Sequence, residues 1–187
     1  IGLSSVKTKL ACSGSIMMSI PRMINDQGEE FLKKYFPEDY SYDKLYNVLF
    51  NKGFNWPVSV EHNSYLIDVA VYKEVIEGKR VFLDFSQNPK NFHFNKLAQN
   101  LRDYYSKEQI KNIGEKERQV NSLNRLREIN PEIIQWLKKR KIDVEIGDKV
   151  EIAPAIQHFQ GGIKIREKAN TNIEGLYAVG EVAGGQH

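Results

Sequence analysis

The chain has 187 residues, 41% of them hydrophobic and 27% charged, enough for one large domain or a medium one with appendages. Its net charge is only +3 and its acids and bases are interspersed, so it reads as a solvated surface and not as a nucleic-acid footprint. The single cysteine, Cys12, excludes an internal disulfide, no Cys/His spacing suits a metal, and no apolar run approaches the roughly 18 residues of a membrane span.

From the N-terminus, residues 1–30 read as strand and loop. Ile16–Ile20 is a short apolar run, too short for a signal-peptide core, and Pro21 follows it. Asn25-Asp26-Gln27-Gly28 is a turn, because Asn and Asp close local side-chain turns and Gly accepts positive φ. A second short strand is expected over Glu29–Leu32. Residues 35–60 are rich in aromatics that read as core, with Pro37 and Pro57 as breaks and a helix over Asp43–Phe50 presenting Leu45, Val48 and Leu49.

Asn63 or Ser64 caps a helix predicted to reach about Glu77. Ile67, Val71 and Val75 form its stripe, which Leu66, Val69, Tyr72 and Ile76 widen, and Gly78 is the stop. Val81–Phe85 is a strand ended by Asn88-Pro89. Residues 96–129 are helical in pattern and broken near Gly114. The polar stretch Glu115–Glu128, with Val120, Leu123 and Leu126 as a narrow stripe, reads as a solvated face. Asn130-Pro131-Glu132 starts a helix with cap, N1 proline and first-turn acid. Ile133, Ile134 and Leu137 form its buried stripe, and Lys138–Lys141 complement its C-terminal dipole.

Lys149–Ala155 is then a strand running into a loop. Two motifs follow. In His158-Phe159-Gln160-Gly161-Gly162, a glycine pair lets backbone approach a ligand, and the histidine can offer a ring N–H to an anion. The bland reading is a structural turn. In Gly175–His187, a buried apolar strand, Leu176–Val179, ends at Gly180 with Glu181 next, where α/β sheets place ligands. The bland reading is a strand-to-loop junction with a solvent-facing acid.

In order and spacing, Ala153-Pro154-Ala155, the His158 loop, Gly161-Gly162-Ile163 and Gly175–His187 resemble the flavin-dependent fumarate reductase, succinate dehydrogenase and aspartate oxidase family. Ser19–Leu32, Asp68–Phe85 and Asn130–Gly162 are similar to it more loosely. The resemblance implies an α+β fold: a substrate-capping domain over 33–150, a flank of an FAD-binding α/β domain over 1–32, and an incomplete return into that domain over 151–187. The start at Ile1 without a methionine, and the end straight after a Gly-rich run, read as a partial chain.

The resemblance also implies roles. His158 would be the catalytic-site histidine that bonds a substrate carboxylate. Gly161 and Gly162 would lie against the isoalloxazine, Gly180 and Glu181 would contact FAD, and His187 would open a substrate-clamping motif. The implied chemistry is hydride transfer between flavin N5 and a dicarboxylate such as fumarate or succinate, with an electron-transfer protein as a further partner; the single thiol and the lack of a secretory signature make a reducing, cytoplasmic setting the expectation. The Glu181–His187 spacing is closer to the soluble fumarate reductases than to the membrane-associated respiratory flavoproteins. A sister enzyme, such as aspartate oxidase or another enoate reductase, and a non-catalytic flavoprotein-like module are the alternatives.

Two departures stand out. Ile67 occupies the place of the family's proton-donating arginine, for which His62 compensates only if its loop folds inward. The dinucleotide-binding Gly-x-Gly-x-x-Gly is absent from this sequence, so the chain alone is expected to be inactive.

Overall fold

The computed structural model describes residues 2–55, 61–107, 115–156 and 161–184. They divide into two compact units, residues 2–154 and residues from 155 onward.

The first unit is built on a four-stranded sheet of order β1-β4-β3-β2. Strand β2 (Arg22–Asn25) pairs antiparallel with β3 (Val81–Asp84), Arg22 facing Asp84 and Asn25 facing Val81. Strand β4 (Val150–Ala155) lies antiparallel on the other side of β3, with Val81 opposite Ile152. Strand β1 (Gly2–Ser5) flanks β4, and just past it the Val6 N–H reaches the Glu151 carbonyl at 2.9 Å. Segments 22–25 and 150–155, far apart in sequence, thus share one sheet.

The turn after β2 is closed by Asn25, whose Oδ1 accepts from the N–H groups of Gln27 (3.1 Å) and Glu29 (3.0 Å), with Gly28 at φ +80°. The predicted strand over Ile16–Ile20 is instead the short helix α1 (Ser15–Met18). Ile20 at φ +53° and Pro21 then stop it. The strand expected over 29–32 is also absent. Helix α2 (Leu32–Tyr35) starts there, because Phe31 and Leu32 are drawn into the core.

Helix α3 (Tyr42–Phe54) is capped by Ser41, whose Oγ accepts from the Lys44 N–H at 3.2 Å, and it runs four residues beyond the predicted Phe50. It crosses α1 at Gly53, where a Cβ would stand 2.3 Å from the Gly14 carbonyl oxygen. Helix α4 (Tyr65–Ile76) buries Ile67, Ala70, Val71 and Glu74. Val69, Tyr72 and Ile76, expected to widen that stripe, face outward at 37%, 53% and 62% exposure.

Helices α5 (Gln99–Lys107), α6 (Glu115–Val120), α7 (Ser122–Ile129) and α8 (Pro131–Lys139) complete the unit. Helix α8 forms as read: the Asn130 side chain accepts from the Ile133 N–H at 3.1 Å, and Ile134 and Leu137 are buried. The charged stretch before it is not simply a solvated face. Arg118, Arg125 and Glu128 turn inward, and Glu128 accepts Arg118 through both carboxylate oxygens at 2.6–3.0 Å.

In the second unit, the strand expected over Leu176–Val179 reduces to an isolated bridge of Tyr177 with Asn170, and Ile163 forms another with Ala183. Leu176, Tyr177 and Val179 are 43%, 64% and 72% exposed, so the segment read as a buried strand is not buried.

Candidate functional site

The two glycine motifs meet. The Ile163 N–H bonds the Val182 carbonyl at 2.8 Å, and the Gly184 N–H returns to the Ile163 carbonyl at 2.9 Å. This parallel bridge lays Gly161–Ile163 against Val182–Gly184. Gly162 is the close point: at φ +151°, its Cβ would fall 2.5 Å from the Val182 oxygen and 2.8 Å from the Gly184 nitrogen. A side chain at 162 would therefore separate the motifs.

Local turns carry the chain from one motif to the other. The Arg166 N–H bonds the Asn170 carbonyl, the Thr171 N–H bonds the Leu176 carbonyl, and the Ala178 N–H returns to Ala169. Gly180, at φ +74°, opens a single turn over Gly180–Val182, closed by the Ala183 N–H on the Gly180 carbonyl at 3.0 Å. That turn holds Glu181 exposed beside the glycine ledge. No atom lies within 4 Å of the Cβ position of either Gly161 or Gly180, so the ledge is open there.

These residues fit a flat heteroaromatic cofactor with a hydroxylated tail. Two adjoining runs of glycine backbone give a surface without Cβ obstruction. Exposed Ile163, Val179 and Val182 give it apolar edges, and the Glu181 carboxylate is a hydroxyl acceptor. Gly161, Gly162, Gly180 and Glu181 are therefore brought together on one side of this unit. His158 and His187 lie outside the described residues.

Elsewhere, Ile67 is wholly buried in the hydrophobic core of the first unit, and His62 is exposed. A polar pair missed by the sequence reading lies beside Ile67. Lys52, 2% exposed, donates to both carboxylate oxygens of Asp68 at 2.8 and 2.7 Å. Burial raises the Asp68 pKa, and the Lys52 ammonium only partly opposes that. The available signal was position: Leu45, Val48, Leu49 and Lys52 fall at i, i+3, i+4 and i+7 on one helical face.

A family model described as an FAD binding domain matches residues 19–187. The chain belongs to this family. FAD is its cofactor.

An uncharacterized FAD-dependent oxidoreductase of Methanocaldococcus jannaschii is 31% identical over 122 residues, covering 63% of the chain and 16% of that relative. A fumarate reductase (CoM/CoB) polypeptide from Methanothermobacter marburgensis is 36% identical over 63 residues, covering 32% of the chain and 12% of the relative. An L-aspartate oxidase of Nostoc sp. is 43% identical over 53 residues, 28% of the chain and 9% of the relative. The chain thus spans less than a fifth of the length of each. No solved structure gives a significant match. Among the described residues, no helix is long and apolar enough to cross a membrane.

Proposed function

We propose that this chain is part of an FAD-dependent oxidoreductase acting on the CH–CH bond of a small dicarboxylate such as fumarate or succinate. Residues 33–150 are its substrate-capping domain, and 1–32 and 151–187 are flanks of its FAD-binding domain. The observation that carries the proposal is the backbone pairing of Ile163 with Val182 and Gly184, which joins both sequence motifs in one ledge. The fumarate reductase relative supports the substrate class.

In this reading, FAD when bound supplies hydride transfer at its N5 atom. Gly161 and Gly162 present bare backbone to the ring. Gly180 keeps the opposite edge clear, and Glu181 accepts hydrogen bonds from cofactor hydroxyls. By the resemblance, the ring N–H of His158 holds a substrate carboxylate and His187 opens a substrate-clamping motif. Among the described residues from 155 onward only Thr171, Ala178 and Ala183 are buried. A unit with so little core of its own holds a cofactor weakly, so the 187-residue chain alone is expected to be inactive.

One observation favours a second reading, a non-catalytic flavoprotein-like module: Ile67, at the place of the expected proton donor, is core. The test is made on the full-length protein. Its absorption spectrum should show bound flavin, and the reduced flavin should be reoxidised by fumarate, less readily in a His158→Ala variant. Reduction of the oxidised flavin by L-aspartate would indicate the aspartate oxidase reaction. Bound flavin that no unsaturated acid reoxidises would favour the module and sink the reductase.

A further inference from the structure

Ile20 is a β-branched residue in the left-handed region, φ +53°, wholly buried, and directly before Pro21. Left-handed backbone is unfavourable for such a side chain, and the proline bars the right-handed alternative, leaving an extended conformation as the relaxed state. Something must hold Ile20 where it is.

The holding groups come from two helices far along the chain. The Tyr105 hydroxyl donates to the Met18 carbonyl at 2.5 Å. Arg125 donates from Nε to the Ser19 carbonyl at 2.9 Å and from Nη2 to the Ile20 carbonyl at 3.2 Å. Three successive carbonyls at the end of α1 are thus gripped by α5 and α7. Arg125 is itself fully buried, and among the described residues no carboxylate pairs with it. Its remaining partners are the Asn88 Oδ1 at 2.9 Å, the Arg118 carbonyl at 2.6 Å and the face of Phe92 at 4.2 Å. A desolvated cation committed to backbone carbonyls stabilises one particular backbone path.

A cleft of about 440 Å³ lies between α1 with the loop before it and residues of α5, α7 and α8. Ser13, Gly14 and Ile16 line one wall, and Tyr104, Asn130 and Ile133 line the other. The Asn130 Nδ2 reaches the Ser15 Oγ at 3.1 Å across it.

We propose that Ser19–Pro21 is a sprung hinge, latched by Arg125 and Tyr105, and that its release moves the α1 wall and changes the opening of the cleft. The strain in Ile20 is the spring, and the three gripped carbonyls are the catch. A few residues that absorb a large backbone change between packed elements are what a hinge requires.

Hydrogen exchange on the full-length protein tests this. The Met18, Ser19 and Ile20 amides bond to Gly14, Ser15 and Met17 carbonyls and report α1 directly. In Arg125→Met they should exchange about tenfold faster, while β2 and β3 amides stay within about twofold. Equal acceleration throughout, or none at 18–20, overturns the latch. Tyr105→Phe, which keeps the ring, should accelerate the same three amides to a smaller degree even if Arg125→Met fails to fold, and wild-type rates there overturn it too.

In an Ile20→Gly background, which removes the strain, the effect of the latch substitution should shrink to below about threefold. An unchanged factor overturns the spring. Cys12, 1% exposed between cleft residues Ala11 and Ser13, should react faster with maleimide in Tyr105→Phe. An unchanged labelling rate overturns the gating of the cleft.

Discussion

Glu74 Oε2 accepts a 2.8 Å hydrogen bond from Asn25 Nδ2, tying the last turn of α4 to the turn that ends β2. The carboxylate has no exposed surface, and it also accepts from the Tyr35 hydroxyl at 2.5 Å and pairs with Lys79 at 3.1 Å. Burial alone would raise its pKa from 4.5. The bonds from Asn25, Tyr35 and Lys79 outweigh that and hold it at about 2.

An acid-sensitivity follows with a definite sign. The folded pKa lies below the unfolded one, so Glu74 contributes stability above pH 4.5 that is lost as pH falls toward 2. Urea unfolding midpoints should fall over that window in the wild-type chain. Glu74→Gln should be less stable at pH 7 and have a flatter acid limb. Parallel acid limbs for the two proteins would show that Glu74 is not the group responsible.

Gly53 tests the packing of α3 on α1. A methyl group there would meet the Gly14 oxygen at 2.3 Å and the Met18 nitrogen at 2.8 Å, and both are backbone that cannot rotate away. Gly53→Ala should destabilise the chain by about 2 kcal/mol, despite the better helix propensity of alanine. Denaturant titration measures this, and a gain in stability would contradict the contact.

Lys52 and Asp68 form a pair whose halves are unequal to replace. Lys52→Met leaves Asp68 buried opposite a methyl group and should cost about 3 kcal/mol at neutral pH. Burial already raises the folded Asp68 pKa above its ordinary value, and loss of the ammonium raises it further. In the variant, stability should therefore be greatest at low pH and decline as pH rises through the Asp68 titration. Adding Asp68→Leu should recover part of the loss and abolish that pH dependence. A Lys52→Met melt insensitive to pH would refute the assignment.

The glycine ledge offers two contrasting substitutions. Gly162→Ala collides with Val182 and Gly184 backbone at a φ that alanine avoids, whereas Gly161→Ala meets nothing within 4 Å. In the full-length protein, Gly162→Ala should lower both the melting temperature and FAD affinity. Gly161→Ala should leave the melting temperature in place and weaken FAD alone, because the added methyl group faces the open ledge. Fluorescence titration of the apoprotein with FAD reads the affinities. Unaltered affinity in both variants would remove the flavin from the ledge.

Much of the local structure was legible in the residues themselves. Asn130-Pro131-Glu132 announced α8, and Asn25 through Gly28 announced the turn after β2, because each signal acts within four residues of its source. Both glycine motifs were also legible. Local sequence misleads where the partners are remote. Ile16–Ile20 looks extended until Tyr105 and Arg125 supply acceptor-seeking donors to a helical turn. Glu115–Glu128 looks solvated until Arg118 and Glu128 are seen to satisfy each other in the interior.

By itself the sequence determined the short-range order of caps, turns and stripes, together with two glycine motifs whose spacing marks a flavin-binding lineage. Only the tertiary structure decided which charged groups go inside and how closely those motifs approach. The reason is physical. A cap or turn is a bond between near neighbours, whereas burying Lys52, Arg125 or Glu74 is tolerable only once groups 16 to 106 residues away have been brought to meet them.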